Sequence, residues 1–246
     1  MMYKNIHPFI FIAAAYCMMA ASCAAPEGDF TESERILIRN AASRPSIEDT
    51  GRDAAVDSYP AGTMRVLTVN NEDDLKILRS VSRDFSKEAL VDQDIAILAS
   101  LMISTVTHPS QDGVGIAAPQ VGLNRRMVAV QRFDMEGEPF KVYPNIRIIW
   151  KSDDTQVGPE GCLSVPDCRG NVERAAQIVI EYSDITGVVS DRKAARLFAG
   201  AAEGRHSGYT GKVTTARDTV SGFTAVIFQH EVDHLDGILY TDKLQK

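Results

Sequence analysis

The most informative part of the chain is QHEVDHLDG, residues 229–237. Residues four apart on a helix lie on one face, so His230 and His234 can bind one metal ion together. Glu231 lies about 100° further around a helix. From there it can reach a water molecule on the metal without being a ligand. Gly237 is a typical helix stop.

The apolar neighbours of the two histidines indicate that both imidazoles face the interior. Phe223, Val226 and Ile227 lie on the same side of a helix predicted over Phe223–Leu235. Unpartnered imidazoles on an apolar face need polar partners or a metal. The alternative is a surface helix with two half-buried histidines, because HExxH strings also arise by chance. The inward placement favours the metal.

A metal held by two histidines needs a third protein ligand. HExxHxxGxxH proteases take it three residues after the glycine, where this chain has Tyr240. The short tail offers Asp236 and Asp242 as the remaining downstream donors. An upstream ligand is therefore expected, and the candidates are His108, His206, Cys162 or a carboxylate.

Cys162 is favoured because of its setting in EGCLSVP, residues 160–166. Gly161 frees the backbone, and Pro166 prevents a helix soon afterwards. A thiolate with two imidazoles leaves one position open for water, which is the arrangement of catalytic sites. The competing interpretation is a Cys162–Cys168 disulfide in an oxidising compartment.

A second motif is GVGIAAPQ, residues 113–120. It superficially matches a dinucleotide-binding pattern, which must follow a strand and open a helix. Here a predicted helix and a Pro-containing loop come first, and Pro119 disfavours a helix through Ala118. A strand whose glycines let a substrate backbone approach closely is the better interpretation. Gln120 would then supply an amide donor.

The rest of the chain predicts an α+β fold. A helix is predicted over Val91–Val106 and a turn at Asp184–Gly187. Strands are predicted at Val66–Val69, Met127–Val130, Ile146–Trp150 and Gln177–Tyr182. Ser190–Val220 is weakly periodic and is predicted to be a long loop or insertion. Strands are predicted for most of the middle of the chain, and the clearest predicted helix comes last. An α+β fold is therefore favoured over a doubly wound sheet.

The N-terminus predicts export. The apolar run Phe9–Ala21 follows Lys4 and His7 and precedes small residues, which is typical of a secretory signal. The tetrad ending at Cys23 resembles a bacterial lipoprotein box, so Cys23 is expected to carry a lipid. The alternatives are a buried N-terminal helix and cleavage without lipidation. We therefore predict a signal peptide at 1–22, a partly disordered tether at 23–64 and a catalytic domain at 65–246.

Composition limits the classes of partner. The formal net charge of −7 argues against binding nucleic acid by phosphate neutralisation. Four cysteines in 246 residues exclude a disulfide-dense scaffold. We therefore predict that the domain lies in the cell envelope and that its membrane association depends on the lipid at Cys23.

Three motifs together resemble the signature motifs of the peptide deformylase family. They are GVGIAAPQ from Gly113, EGCLS from Glu160 and QHEVDH from Gln229. The resemblance covers the chain from about Leu75 onward, including Leu78-Arg79 and Val172-Glu173-Arg174. It implies antiparallel strands packed around the metal-binding helix, and hydrolysis of the N-formyl group of formyl-methionyl peptides.

The resemblance also implies roles for individual residues. The metal ligands are Cys162, His230 and His234, and the ion is usually Fe(II), with Zn, Ni or Co as alternatives. Glu231 is the general acid–base. Gln120 and the backbone N–H of Leu163 stabilise the oxyanion, Gly115 lies near the substrate backbone, and Ile116 and Val226 are candidates for an apolar pocket that holds a methionine side chain.

Departures from the family keep alternatives open. Tyr143-Pro144 stands where Asn-Pro is common, the 190–220 segment is long, and the export signal separates the chain from cytoplasmic translation. A metallopeptidase of the HExxH type and a non-catalytic formyl-peptide binder of the cell envelope are the competing hypotheses.

Overall fold

The fold is known from a computed structural model that describes residues 27–44, 60–186 and 212–245. The helices are α1 (Glu32–Ala42), α2 (Glu72–Leu78), α3 (Lys87–Leu90), α4 (Gln93–Val106) and α5 (Gly222–Leu235). The strands are β1 (Gly115–Ala117), β2 (Met127–Gln131), β3 (Phe140–Pro144), β4 (Arg147–Lys151), β5 (Thr155–Cys162), β6 (Val165–Ala175), β7 (Gln177–Thr186) and β8 (Lys212–Ser221). Short 3-10 helices occupy Ala118–Val121 and Tyr240–Lys243. Within the described ranges, no helix combines the length and apolar character that a bilayer span requires.

The strands form three antiparallel groups around α5. β1, β2 and β3 make one sheet, β4, β7 and β8 make a second, and β5 and β6 form a long hairpin. Side chains from both sheets, including Val130, Ile178 and Val220, meet Phe228 and Leu235 of α5 in one core cluster. The predicted α+β class, with antiparallel strands packed around a central helix, is confirmed.

The central helix is buried on nearly all sides, which is typical of a helix enclosed by other elements. Phe223 is an exception, because it lies at the first turn and is 56% exposed. The predicted helix stop at Gly237 is confirmed. Its φ of +71° is left-handed, and a Cβ there would overlap the carbonyl oxygen of Arg79, so only glycine fits.

An additional helix lies within the segment predicted to be a tether. Thr31 caps α1 in a reciprocal capping box, in which the Thr31 N–H donates to Glu34 Oε2 at 2.7 Å. Phe30, Ile38 and Ala41 are buried against the core that contains α4. The prediction of a tether is therefore wrong for these residues, since they pack as part of the domain.

Buried charges attach α1 to the domain. Arg125, whose side chain is 1% exposed, donates to both carboxylate oxygens of Glu34 at 2.7 and 2.8 Å and to the carbonyl oxygen of Gly28 at 3.0 Å. Asp94, at the start of α4, accepts from Arg35 and Arg39 of α1. Buried ions are tolerated only when they are paired, so α1 completes the domain electrostatically as well as by packing.

Replacing Glu34 by Gln is expected to destabilise the protein by about 2–3 kcal/mol, because a charged hydrogen-bond partner of buried Arg125 is lost. Urea unfolding of the variant and the wild type measures this difference. The matched control is Glu32→Gln, which removes an exposed carboxylate from the same helix. Equal destabilisation by both substitutions would contradict the role of the Glu34–Arg125 pair.

The same comparison has a pH dependence of known sign. Burial raises the pKa of Glu34, but hydrogen bonds from Arg125 and Thr31 outweigh it and lower the pKa below its usual value. A depressed pKa contributes stability at higher pH that is lost as pH falls through the folded pKa. The difference between Glu34→Gln and wild type should therefore shrink under acid conditions.

Several sequence predictions of local structure need correction. Val66–Val69 forms no regular strand, although Leu67 N–H donates to Gln120 O and Val69 N–H donates to Ser164 O. β7 continues through the predicted turn to Thr186. β8 occupies the end of the predicted loop. The sequence does not predict this strand, because its alternating residues face solvent on one side and carry no apolar signal. Residues 187–211, the signal peptide and Cys23 lie outside the described residues.

The other predicted elements are confirmed within a few residues. The predicted helices at Val91–Val106 and Phe223–Leu235 correspond to α4 and α5, and the predicted strands at Met127–Val130, Ile146–Trp150 and Gln177–Tyr182 correspond to β2, β4 and β7. The motif beginning at Gly113 contains a strand followed by a 3-10 helix that begins at Ala118 and has Pro119 as its second residue. No α-helix follows this strand, which rules out the dinucleotide-binding arrangement.

Candidate metal centre

Cys162, His230 and His234 come together at the end of the β5–β6 hairpin. Their potential ligand atoms all lie within 4.8 Å of one another. The Sγ of Cys162 is 3.2 Å from Nε2 of His234. Metal bonds of about 2.0–2.3 Å to nitrogen and sulfur would fit between these atoms after small adjustments. The geometry therefore accommodates one divalent ion with three protein ligands.

The other candidate ligands that the structure describes are engaged elsewhere. His108 contacts Ser110 through Nδ1 at 2.8 Å. Asp236 pairs with Arg126, and Asp242 pairs with Arg79. His206 lies outside the described residues. Cys162 and Cys168 are both free thiols, so the interpretation of a disulfide does not hold for this structure.

His230 is oriented by a buried carboxylate. Its Nδ1 lies 2.8 Å from Glu160 Oε2, so that Nε2 is left to face a metal. Burial raises the pKa of Glu160, but hydrogen bonds from Arg174 and His230 lower it to about 2. Glu160 is therefore a carboxylate at neutral pH and can hold the imidazole in one orientation.

Arg174 organises the charges behind the histidines. It donates to Glu160 through two nitrogens, at 2.7 and 2.9 Å, and to Asp233 at 2.5 Å. Lys243 donates to both oxygens of Asp233 at 2.7 Å. This chain of ion pairs ties β5, β6, α5 and the C-terminal 3-10 helix together directly behind His230.

The surroundings of His230 favour positive charge. Burial lowers the pKa of His230, but Cys162, Glu160 and Glu231 outweigh it and raise the pKa to about 10. Burial and the charge on His230 lower the pKa of His234, which keeps this second imidazole neutral. The negative groups that stabilise a proton on His230 would also stabilise a bound cation.

Glu231 occupies a position suited to proton transfer. It is 4% exposed, and burial raises the pKa of its carboxyl group to about 7. Its Oε2 has no hydrogen-bond partner among the described residues. A buried polar atom of this kind requires a partner. A carboxyl group with a pKa near neutrality can both accept and return a proton.

Gly115 forms the wall beside Glu231. A Cβ at this position would lie 2.5 Å from Glu231 Oε1 and 2.8 Å from Ile227 Cγ2. Contacts this short force one of the groups to move. The glycine predicted to admit a substrate backbone is thus also needed to leave room for the carboxylate.

The substitution Gly115→Ala is expected to lower kcat by on the order of 10²-fold, because it displaces Glu231 from its position. Steady-state kinetics, with thermal unfolding as a check on folding, measures the effect. Gly158→Ala is the control, since nothing lies within 4 Å of a Cβ there. Normal turnover in Gly115→Ala would show that Glu231 can move without consequence.

Gln120 is held in one orientation at the edge of the site. Its Oε1 accepts from the Ala117 N–H at 2.8 Å, so its Nε2 points toward Ser164 Oγ at 3.2 Å and Cys162 Sγ at 3.5 Å. Gln120 and Leu163 both line the cleft that contains the metal ligands. Gln120 therefore presents a donor where an oxyanion could be bound.

The cleft has a volume of about 800 Å³ and lies between β1, the β5–β6 hairpin and α5. Gly115 and Val226 line it, as do Phe223, Val114 and Leu163. Ile116 does not line the cleft. It is fully buried in the core against α4, because alternate residues of a strand face opposite sides. The prediction that Ile116 forms the substrate pocket is therefore wrong.

Sequence reasoning missed the residues that support the ligands. Gln229 bonds the backbone of Ala175 in both directions, with its Oε1 accepting at 3.1 Å and its Nε2 donating at 3.0 Å. Glu160 and Arg174 both belong to motifs recognised in the sequence, yet their pairing depends on hairpin register. The available signal was that Glu160, Arg174 and Gln229 are polar residues of recognised motifs to which no role in the chemistry had been given.

Comparison with known proteins identifies close resemblances. The family model described as polypeptide deformylase matches residues 64–203 and 205–246. A peptide deformylase of Finegoldia magna is 34% identical over 168 residues, which cover 68% of this chain and 83% of that protein. One from Leptospira biflexa is 32% identical over 189 residues, covering 74% and 87%.

Solved structures agree with these sequence matches. A peptide deformylase of Thermotoga maritima has a TM-score of 0.56 at 27% identity, covering 75% of this chain and 99% of that one. An actinonin-bound class I type b enzyme of Acinetobacter baumannii has a TM-score of 0.54 at 30% identity, covering 74% and 99%. The region that the family model matches contains the three ligand positions but not α1.

Proposed function

Because this chain belongs to the peptide deformylase family, a family of metal-dependent enzymes that remove the formyl group from peptides, we propose that Cys162, His230 and His234 hold its single divalent ion and that Glu231 moves the proton. The observation that carries the assignment is the convergence of these three ligand atoms within 4.8 Å, in the cleft that Glu231 also lines.

The residues divide the chemistry among them. A divalent ion bound here would act as a Lewis acid toward water and the formyl oxygen. Gln120 Nε2 and the Leu163 N–H would donate to the formyl oxygen as negative charge develops on it. Glu231 would take a proton from the attacking water and deliver it to the nitrogen of the leaving amine. Val226 would contact the methionine side chain.

We also propose Fe(II) as the native ion, with Zn, Ni or Co as substitutes. A thiolate with two imidazoles suits several divalent ions, so the donor set supports the class of metal and the family resemblance supports iron. Metal analysis of protein purified without oxygen tests this assignment. Iron at about one atom per chain supports it, and a different resident metal would overturn it.

A turnover assay on the metal-loaded full chain tests the function. Formyl-Met-Ala-Ser should release formate and a free amine, while the unformylated peptide should remain intact. Cleavage of an internal peptide bond would instead favour a metallopeptidase, and binding without turnover would favour a formyl-peptide binder. The family comparisons favour neither of these alternatives.

Export and lipidation form a separate proposal. The apolar run Phe9–Ala21 and the tetrad before Cys23 support anchoring of this enzyme in the cell envelope. Labelled palmitate should enter the wild-type chain and not the Cys23→Ala variant. Equal labelling of both, or recovery of the wild type in the cytoplasm with residues 1–22 intact, would overturn it. The proposed substrates are N-formyl peptides at that membrane, with no nucleic-acid partner.

A further inference from the structure

A second thiol lies beside the metal ligand Cys162. In the β5–β6 hairpin, Gly161 pairs with Arg169. Cys162 follows Gly161 on β5 and Cys168 precedes Arg169 on β6, so both cysteines adjoin the same pair at the same end of the ladder. Both line the cleft, and both pack against the apolar cluster that contains Val172.

The backbone between the two cysteines is irregular. The register shifts after Gly161, so that Cys162 pairs with Val165 and residues 166–168 are left as extra residues on β6. Asp167 in this bulge has a left-handed φ of 60°. In a regular antiparallel ladder, the two residues next to the Gly161–Arg169 pair would face each other with Cα atoms about 4.5–5.5 Å apart, which is within the range for a disulfide. The bulge shifts Cys162 from that register to Val165. A bulge is the part of a hairpin that can adjust to reach that distance.

The position of Cys168 is fixed from the metal side. Tyr240, whose ring stacks on His230 at a centroid distance of 5.8 Å, donates its hydroxyl to the carbonyl oxygen of Cys168 at 2.6 Å. Cys168 does not belong to the group of ligand atoms formed by Cys162, His230 and His234. Cys168 therefore lines the same cleft as the three ligand residues without being one of them.

From this arrangement we propose that Cys168 is a resolving thiol for Cys162, so that the centre holds either a metal ion or a Cys162–Cys168 disulfide. This inference rests on the proposed role of Cys162 as a ligand. A disulfide removes the thiolate and leaves two imidazoles, which are too few to retain a catalytic ion. The proposed export would place the chain where disulfides persist.

The oxidant we propose is a peroxide. The Cys162 thiolate attacks hydrogen peroxide, the O–O bond breaks, and a sulfenic acid and hydroxide form. The Cys168 thiol then attacks this sulfur, the S–O bond breaks, and the products are the disulfide and water. Two thiols are oxidised and one peroxide is reduced. A dithiol reductant reverses the reaction and restores the ligand, whereas further oxidation of Cys162 to the sulfinic acid would destroy it.

The test uses the full chain, stripped of metal by a chelator and exposed to hydrogen peroxide. After alkylation of the remaining thiols, mass spectrometry of the peptide spanning residues 162–168 should show the loss of two hydrogens in metal-free protein and little change in metal-loaded protein. Oxidised wild type should fail to take up Zn or Fe(II), and dithiothreitol should restore the uptake.

The matched variant is Cys168→Ser, with Cys168→Ala as a second variant if the first folds poorly. Each should take up metal as the wild type does before oxidation, but lose that ability irreversibly afterwards, with Cys162 found as sulfinic acid. Absence of the linkage in metal-free wild type, or full recovery of the variants with dithiothreitol, would overturn the proposal. Neither readout uses formyl-peptide turnover, so failure here is distinct from failure of the proposed function.

Discussion

Replacing Glu231 by Gln is expected to lower kcat for formyl-peptide hydrolysis by about 10²–10⁴-fold while metal content stays unchanged. Gln has the shape of Glu and fits the buried space beside Gly115, but it cannot accept a proton. Since Glu231 is not one of the proposed ligands, the ion should remain, and only the transfer of a proton from water to the leaving amine is lost.

Steady-state kinetics and metal analysis on the same preparation separate these effects. KM should change little, because the loss falls on the chemical step. Glu173→Gln is the control, because Glu173 is exposed on β6 and bonds Thr155. Undiminished turnover in Glu231→Gln would refute the assigned mechanism, and loss of metal together with activity would mean that Glu231 acts structurally.

Replacing Arg174 by Met is expected to destabilise the protein by about 3–5 kcal/mol, because it removes the cation that two buried carboxylates share. Glu160 and Asp233 have side chains that are 6% and 10% exposed, and each loses its Arg174 partner. Lys243 still pairs with Asp233, so the loss of Arg174 destabilises Glu160 more than Asp233. Metal affinity should also fall by about 10–100-fold, because Glu160 orients His230.

Urea unfolding without metal measures the first effect, and a metal titration measures the second. Arg217→Met is the control, because Arg217 is 68% exposed and its pair with Glu181 is a surface pair. It should cost about 0–1 kcal/mol. If Arg174→Met were no more destabilising than this control, the buried network could not be what holds the hairpin to α5.

The pair of histidines was predictable because its spacing is local. His230 and His234 need only a helix to share a face, and the apolar residues before them indicate which way that face points. Cys162 could be favoured from its flanking Gly161 and Pro166. The pairing of Glu160 with Arg174 could not be predicted from the sequence, because it joins residues across a hairpin whose register depends on tertiary packing.

Similar reasoning explains the errors. The sequence predicts a loop for the residues of β8, because this strand pairs along one side with β7 while most of its residues face solvent. Such a strand carries little apolar periodicity. Ile116 follows Gly115, which lines the cleft, but its own side chain lies in the core. The orientation of this three-residue strand decides whether a side chain faces the pocket or the core, and the sequence does not show that orientation.

If Cys23 carries the proposed lipid, the docking of α1 limits how far the catalytic domain can lie from the membrane. A free tether over residues 23–64 could extend to about 140 Å. With Gly28 bonded to Arg125, only five residue steps separate that point from Cys23, which reach at most about 17 Å. A lipid at Cys23 would therefore hold the domain close to the surface of the bilayer and limit the rotation of the domain. The enzyme would then favour chain ends at the lipid surface over peptides diffusing in the bulk.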